Sequence, residues 1–144
     1  MANEKLFYVG VKGLIENKNG QILLLFAPGW EKNNTKAHWD IPGGRVSDGE
    51  DILTALKREI EEETQVTELS GVEFYTAVVS NHEIPLPDGR NAGLVLMVYK
   101  VTVPDDAKVV ISEEHEKYEW VDKEVAADRL ANKYPQEFTN LLKA

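Results

Sequence analysis

Gly44-Arg45-Val46-Ser47-Asp48-Gly49-Glu50-Asp51-Ile52-Leu53-Thr54-Ala55-Leu56-Lys57-Arg58-Glu59-Ile60-Glu61-Glu62-Glu63-Thr64-Gln65-Val66 is the stretch on which the fold turns. Its spacing predicts one amphipathic helix starting near Ser47. At about 100° per residue, Ile52, Leu53, Leu56 and Ile60 fall in one arc, the stripe that faces a core. Glu59, Glu62 and Glu63 stand at i, i+3 and i+4 and share a neighbouring arc. Glu63 projects between Ile52 and Leu56, on the rim of the buried stripe. Like charges at this spacing cost about 0.2–0.5 kcal/mol per pair. Near a helix C-terminus each negative charge costs a further 0.3–1 kcal/mol or so. Arg58 and Lys57 offset only part of this. A hard divalent cation such as Mg²⁺ offsets it directly, because it takes carboxylate oxygens and keeps waters and phosphates as its other ligands.

A solvated acidic face is the plainer reading of such a helix. The turn before it, Pro42-Gly43-Gly44, favours a site. The glycines allow close backbone approach, and Pro42 stiffens the entry. A loop of this kind ahead of a helix can present backbone groups to a metal or a phosphate.

The stretch resembles the Nudix box. Gly44, Glu50, Arg58, Glu59, Ile60, Glu62, Glu63 and Val66 match its pattern in register, and Trp39-Asp40-Ile41-Pro42-Gly43-Gly44 resembles the usual approach to it. Gln65 departs from the pattern, which has glycine there. Gln in a left-handed C-cap costs roughly 1 kcal/mol; otherwise the helix ends another way. The resemblance implies an α/β fold, a Nudix-type α/β/α sandwich around a central mixed β-sheet. It implies metal-dependent hydrolysis of a nucleoside diphosphate linked to another group: a nucleotide sugar, ADP-ribose, a dinucleoside polyphosphate or a nucleoside triphosphate. Water attacks phosphorus, and Mg²⁺, with Mn²⁺ as its substitute, sits on Glu59, Glu62, Glu63 and the Gly44 carbonyl.

Glu50 has two readings that are not exclusive: a further metal ligand, or the partner of Ser47 in a capping box. Arg58 is expected to orient a box glutamate through a bidentate pair. The general base is a box glutamate or Glu114, the latter because Nudix proteins often recruit a carboxylate outside the box. Arg45 and Arg90 are candidate phosphate contacts or solvated charges. Trp30 either stacks on a nucleobase or anchors its loop. A regulatory module of the same family that binds without turnover is the alternative function. A homodimer is expected by analogy alone, and light scattering decides it.

Composition bounds these readings. At 144 residues the chain is expected to be one domain, residues 1–144. It is 42% hydrophobic and 28% charged, as globular proteins are. The net charge of −9 argues against nucleic acid as a partner. The absence of cysteine excludes disulfides, Cys-zinc sites and a thiol nucleophile. No apolar run is long enough to span a membrane, and Met1 to Lys5 has no signal pattern, so a cytoplasmic setting is expected. Neither a P-loop nor a dinucleotide fingerprint is present. His38, His82 and His115 are scattered and suggest no zinc site.

Working outward, Leu6 to Ile15 alternates as a strand. Asn19-Gly20 signals a hairpin. Ile22 to Phe26 is an unbroken apolar run, as in a strand covered on both faces. Trp39 to Ile41 is a short extended piece whose Asp40 reads as structural. Val72 to Val79, Gly93 to Val101 and Tyr118 to Val121 are further strands. The segment between Ser80 and Asn91 is a loop. Asp122 caps a helix through Leu130. Pro135 opens the last helix, with Phe138, Leu141 and Leu142 on one face.

Overall fold

The computed structural model describes residues 4–29 and 36–144. Its strands are β1 (Phe7–Glu16), β2 (Ile22–Ala27), β3 (His38–Asp40), β4 (Gly43–Arg45), β5 (Gly71–Val79), β6 (Ile84–Pro85), β7 (Asn91–Thr102) and β8 (Lys117–Val121). Its helices are α1 (Ile52–Thr64), α2 (Lys123–Leu130) and α3 (Gln136–Lys143). The sheet is mixed. β1 and β7 run parallel over ten residue pairs, from Phe7 with Gly93 to Glu16 with Thr102. The other pairings are antiparallel, in the order β3-β2-β1-β7-β5, with β4 on β1, β6 on β7 and β8 on β2.

Alternation along β2 explains the layers. Leu23 and Leu25 enter one apolar cluster with Leu56 and Ile60 of α1. Ile22 and Leu24 enter the other, with Ala126, Leu130 and Phe138 of α2 and α3. An apolar run without polar alternation is what a strand needs when helices cover both faces. The result is the α/β/α sandwich. Leu56 and Ile60 are fully buried, and each contributes about 1.5–3 kcal/mol by leaving water. Gly13 lets α1 lie close on β1: a Cβ there would come 3.0 Å from Ile60 Cδ1.

Several local expectations change. The helix begins at Ile52, not near Ser47, because Asp51 is its N-cap and accepts the Thr54 N–H at 2.8 Å. Glu50 does accept the Ser47 N–H, at 3.1 Å, but in the turn before the helix, so the pair is not its capping box. Leu53 is 46% exposed and lies off the buried stripe. Leu141 is likewise exposed, while Phe138 and Leu142 are buried. The hairpin at Asn19-Gly20 closes on a single pair, Glu16 with Ile22. Beyond it β1 takes β4 as a neighbour and β2 takes β3 and β8. The expected loop between Ser80 and Asn91 contains β6. Gly43–Arg45 is a strand rather than only a turn.

Gln65 ends α1 in the left-handed conformation, φ 59° and ψ 14°, with its N–H donated to the Glu61 carbonyl at 2.8 Å. The helix therefore stops as it would with glycine, and the departure from the box leaves its last turn regular. Gln65→Gly should raise stability by about 1 kcal/mol, since only the Cβ penalty is relieved. Urea unfolding checks this; an unchanged or lower midpoint would show that the penalty is absent.

Candidate active site

β4 is where the box meets the sheet. Gly43 pairs with Lys12, Gly44 with Val11 and Arg45 with Gly10. Gly43 has φ +150°, and a Cβ there would strike the Val11 carbonyl, so only glycine fits. Its N–H donates to Glu63 Oε2 at 3.1 Å. At Gly44 a Cβ would lie 2.5 Å from Glu59 Oε1. The missing side chain is thus the space that the Glu59 carboxylate fills.

Arg58 organises the glutamates. It donates to both oxygens of Glu50, Nε to Oε2 at 2.6 Å and Nη2 to Oε1 at 2.9 Å. Its Nη1 reaches Glu59 Oε1 at 3.0 Å and Glu62 Oε2 at 3.2 Å. Charge-assisted pairs of this kind fix orientation as well as adding energy. The Arg58 hydrogen bonds, with the Ser47 N–H, hold the Glu50 carboxyl down at about 2. Burial acts the other way on its neighbours. It raises Glu59, with Arg58 opposing. It pushes Glu63, only 6% exposed, up to about 7, although Lys12 and the Gly43 N–H favour its charged form.

Beneath the box lies a buried polar cluster of which the sequence reading names only Asp40. Lys12 Nζ donates to Asp40 Oδ2 at 3.0 Å, Lys133 Nζ to the same oxygen at 2.7 Å, and the Tyr134 hydroxyl to Oδ1 at 2.7 Å. Burial alone would raise the Asp40 carboxyl, but Lys12 and Lys133 outweigh it and hold it well below the usual carboxylate range. Burial likewise opposes the charge on Lys12; Asp40 and Glu63 overcome it and raise the ammonium. Lys133 stays lowered, by burial first. Asp40 is structural, as expected. A signal for Lys12 existed: it is a lone charge within the apolar run Val11 to Ile15. Nothing local marks Lys133.

A cleft of about 750 Å³ opens beside these groups. Its lining includes Gly43, Gly44 and Arg45 of β4, Lys12, and Lys133 from the turn between α2 and α3. Arg45 therefore faces the cleft. Arg90 does not line it and pairs with Asp88 at 2.7 Å. Glu114 borders a shallow hollow with Glu62, Glu63 and Ser112. Among the described residues, Ser112 Oγ and His115 Nδ1 are buried without a hydrogen-bond partner. Trp30 lies outside the described residues. His38 and His82 approach edge-on, with ring centroids 6.1 Å apart.

The NUDIX domain model matches residues 6–142. The chain belongs to the Nudix family. Its stretch Gly44 to Val66 is the family's box, carried here on β4 and α1. This Nudix chain is similar, at 26% identity and a TM-score of 0.68, to the MutT protein of Methanosarcina mazei Go1, over 99% of its own length and 94% of that chain. It is 40% identical to an RNA pyrophosphohydrolase of Pelagibacter ubique over 53 residues, 37% of this chain and 33% of that protein. It is 33% identical to an octanoyltransferase of Myxococcus xanthus over 93 residues, 64% of this chain and 25% of that protein. The matches thus span a third or less of those two relatives.

Among the described residues, no three Asp, Glu or His side chains already surround one point as metal ligands do. The donors nevertheless suit a divalent cation. Glu59 and Glu63 are carboxylates raised by burial, Glu62 is exposed beside them, and Gly44 leaves the cradle in which Glu59 lies. Such a group of hard oxygen donors matches the chemistry of a hard divalent cation.

Proposed function

We propose that this Nudix chain is a pyrophosphohydrolase that cleaves a nucleoside diphosphate linked to another group, in a cytoplasmic nucleotide pool. The observation that carries this reading is the seating of Glu63 on the Gly43 N–H and of Glu59 in the space left by Gly44, with Arg58 joining Glu62 to Glu59, where the two glycines line a cleft that Lys12 and Lys133 also line. Glu59, Glu62, Glu63 and the Gly44 carbonyl would hold Mg²⁺, or Mn²⁺ in its place. Bound there, the cation supplies positive charge to diphosphate oxygens and acidifies a bound water.

The protein's own groups do the rest. Arg58 holds the carboxylates in position and, engaged with three of them, does not contact substrate. Lys12 and Lys133 set positive charge on the cleft floor for phosphate oxygens. Water attacks phosphorus, the anhydride P–O bond breaks, and both products leave as phosphates. The proton from water passes to a carboxylate oxygen of a box glutamate or of Glu114. Glu50, with both oxygens on Arg58, serves chiefly to fix that arginine. The RNA pyrophosphohydrolase similarity supports a phosphoric anhydride as the substrate.

The test is product release from nucleoside triphosphates, ADP-ribose, nucleotide sugars and dinucleoside polyphosphates, with Mg²⁺, with Mn²⁺ and with chelator. Metal-dependent cleavage of one class is expected, reduced about 100-fold or more in Glu62→Gln, a loss of roughly 3 kcal/mol in the transition state. Full Mg²⁺-dependent activity in a folded Glu62→Gln variant would remove that residue from the site. No cleavage in any arm, with saturable nucleotide binding, would make the chain a binding module.

A further inference from the structure

The cleft floor has a direction. Tyr8, Gly10 and Lys12 are alternate residues of β1, and all three face the cleft. Alternate residues share a face and stand about 7 Å apart, so the row from Tyr8 to Lys12 covers about 13 Å. Its chemistry changes along that length: an aromatic ring, then no side chain, then an ammonium.

Each end is reinforced from another strand or turn. At the cationic end Lys133 joins Lys12 on Asp40, beside Gly43 and Gly44 of the box. At the other end Arg45 lays its guanidinium 4.8 Å from the Tyr8 ring centroid. Between them Gly10 adds no side chain of its own, and Leu94 and Leu96 of β7 make the floor apolar there. A Cβ at that position would lie 3.0 Å from Leu96 Cδ2 and 3.7 Å from the Gly44 carbonyl oxygen. Pro85 and Pro87 line the cleft as well, and their fixed rings lose little freedom on contact with a ligand.

We propose that the cleft takes a nucleotide lengthwise, with the base stacked on the Tyr8–Arg45 platform, the ribose over the apolar surface of Gly10, Leu94 and Leu96, and the diphosphate at the Lys12–Lys133 end. This rests on the reading of the substrate as a nucleoside diphosphate derivative, and it makes Tyr8 the residue that recognises the base. A nucleobase has flat π-faces that stack on aromatic rings and guanidinium planes. A diphosphate matches paired ammonium groups next to the box. The reverse placement would seat a flat base on ammonium groups held by Asp40, which offer no stacking surface.

The experiment measures binding, apart from turnover. Calorimetry compares the α,β-methylene diphosphates of adenosine and uridine with base-free methylenediphosphonate, all with Mg²⁺, on wild type, Tyr8→Ala and Tyr8→Phe. Tyr8→Ala should weaken the nucleotides roughly tenfold or more and leave methylenediphosphonate unchanged, while Tyr8→Phe binds as wild type does. In wild type carrying ¹³C-labelled tyrosine, the Tyr8 ring signal should move with the nucleotides and not with methylenediphosphonate, which covers the case of a variant that fails to fold. Equal nucleotide affinity in Tyr8→Ala, equal loss of the base-free ligand, or wild type binding both ligand kinds equally would overturn the proposal. Loss of turnover with Tyr8-dependent binding retained would strike the hydrolase reading alone. Turnover without any dependence on Tyr8 would strike this one alone.

Discussion

Asp40→Ala lowers the stability of the protein by about 3–5 kcal/mol, the cost of breaking a buried ion pair by removing one partner. The change leaves Lys12 and Lys133 with buried ammonium groups and takes the acceptor from the Tyr134 hydroxyl. At about 2–4 °C per kcal/mol for a chain of this size, the melting temperature falls by some 6–20 °C. The pH dependence follows from the sign of the Asp40 shift. Its folded carboxyl lies below the ordinary value of 3.8. Its contribution is fully present above that value and is lost as pH falls through the depressed folded one. The gap between wild type and variant should therefore be flat around neutral pH and narrow only in strong acid. Adding Lys12→Met to Asp40→Ala should recover part of the loss, because one stranded charge is removed. A single-variant loss below about 1 kcal/mol in urea would mean that the cluster is not held together through Asp40.

Glu63→Gln has the opposite sign. Burial, its largest cause, raises the folded Glu63 carboxyl from 4.5 to about 7, so the folded state binds that proton more tightly than the unfolded chain. Stability is therefore lost as pH rises from 4.5 towards 7, and remains lost above it. Glutamine stays neutral, and its amide oxygen can still accept the Gly43 N–H. In the presence of chelator, the variant should exceed wild type by roughly 2–3 kcal/mol at pH 8, an order-of-magnitude figure from the shift. The advantage should vanish near pH 4.5. Mg²⁺ should then stabilise wild type more than the variant at pH 8, by binding the folded state. Unfolding midpoints at both pH values, with chelator and with Mg²⁺, measure all three effects. An advantage that is independent of pH would remove ionisation of Glu63 as its cause.

The box helix was legible because period and charge agree: Leu56 and Ile60 mark the buried stripe, and Glu63 sits on its rim. β2 was legible for a related reason, since an apolar run without alternation has only a two-sided environment to satisfy. β4 was not. Glycine has low strand propensity, and Gly43–Arg45 becomes a strand only because β1 offers its register. The helix start was misplaced because Ser47 and Asp51 are both good caps, and only the fold decides between them. Leu53 satisfies the same arc as Leu56, yet the fold leaves it exposed. The carboxylates of the candidate site could be read from spacing within one helix. Of its cations, Lys12 left a trace as a lone charge in an apolar run, but Lys133 left none: it lies 93 positions from Asp40, and no local pattern reports such a meeting.

That separation bears on how the molecule is made. During synthesis the box helix and its carboxylates leave the ribosome first, and β7, which pairs along the whole of β1, and the turn carrying Lys133 follow later. Pairings this distant are slow to close, because the entropy of the intervening loop must be overcome first. At about 5–20 residues per second, the nascent chain spends several seconds with Lys12 and Asp40 already made and Lys133 still missing. The cleft floor is thus completed well after the box, and a chain that has not yet reached Lys133 displays the box without the full cleft beside it.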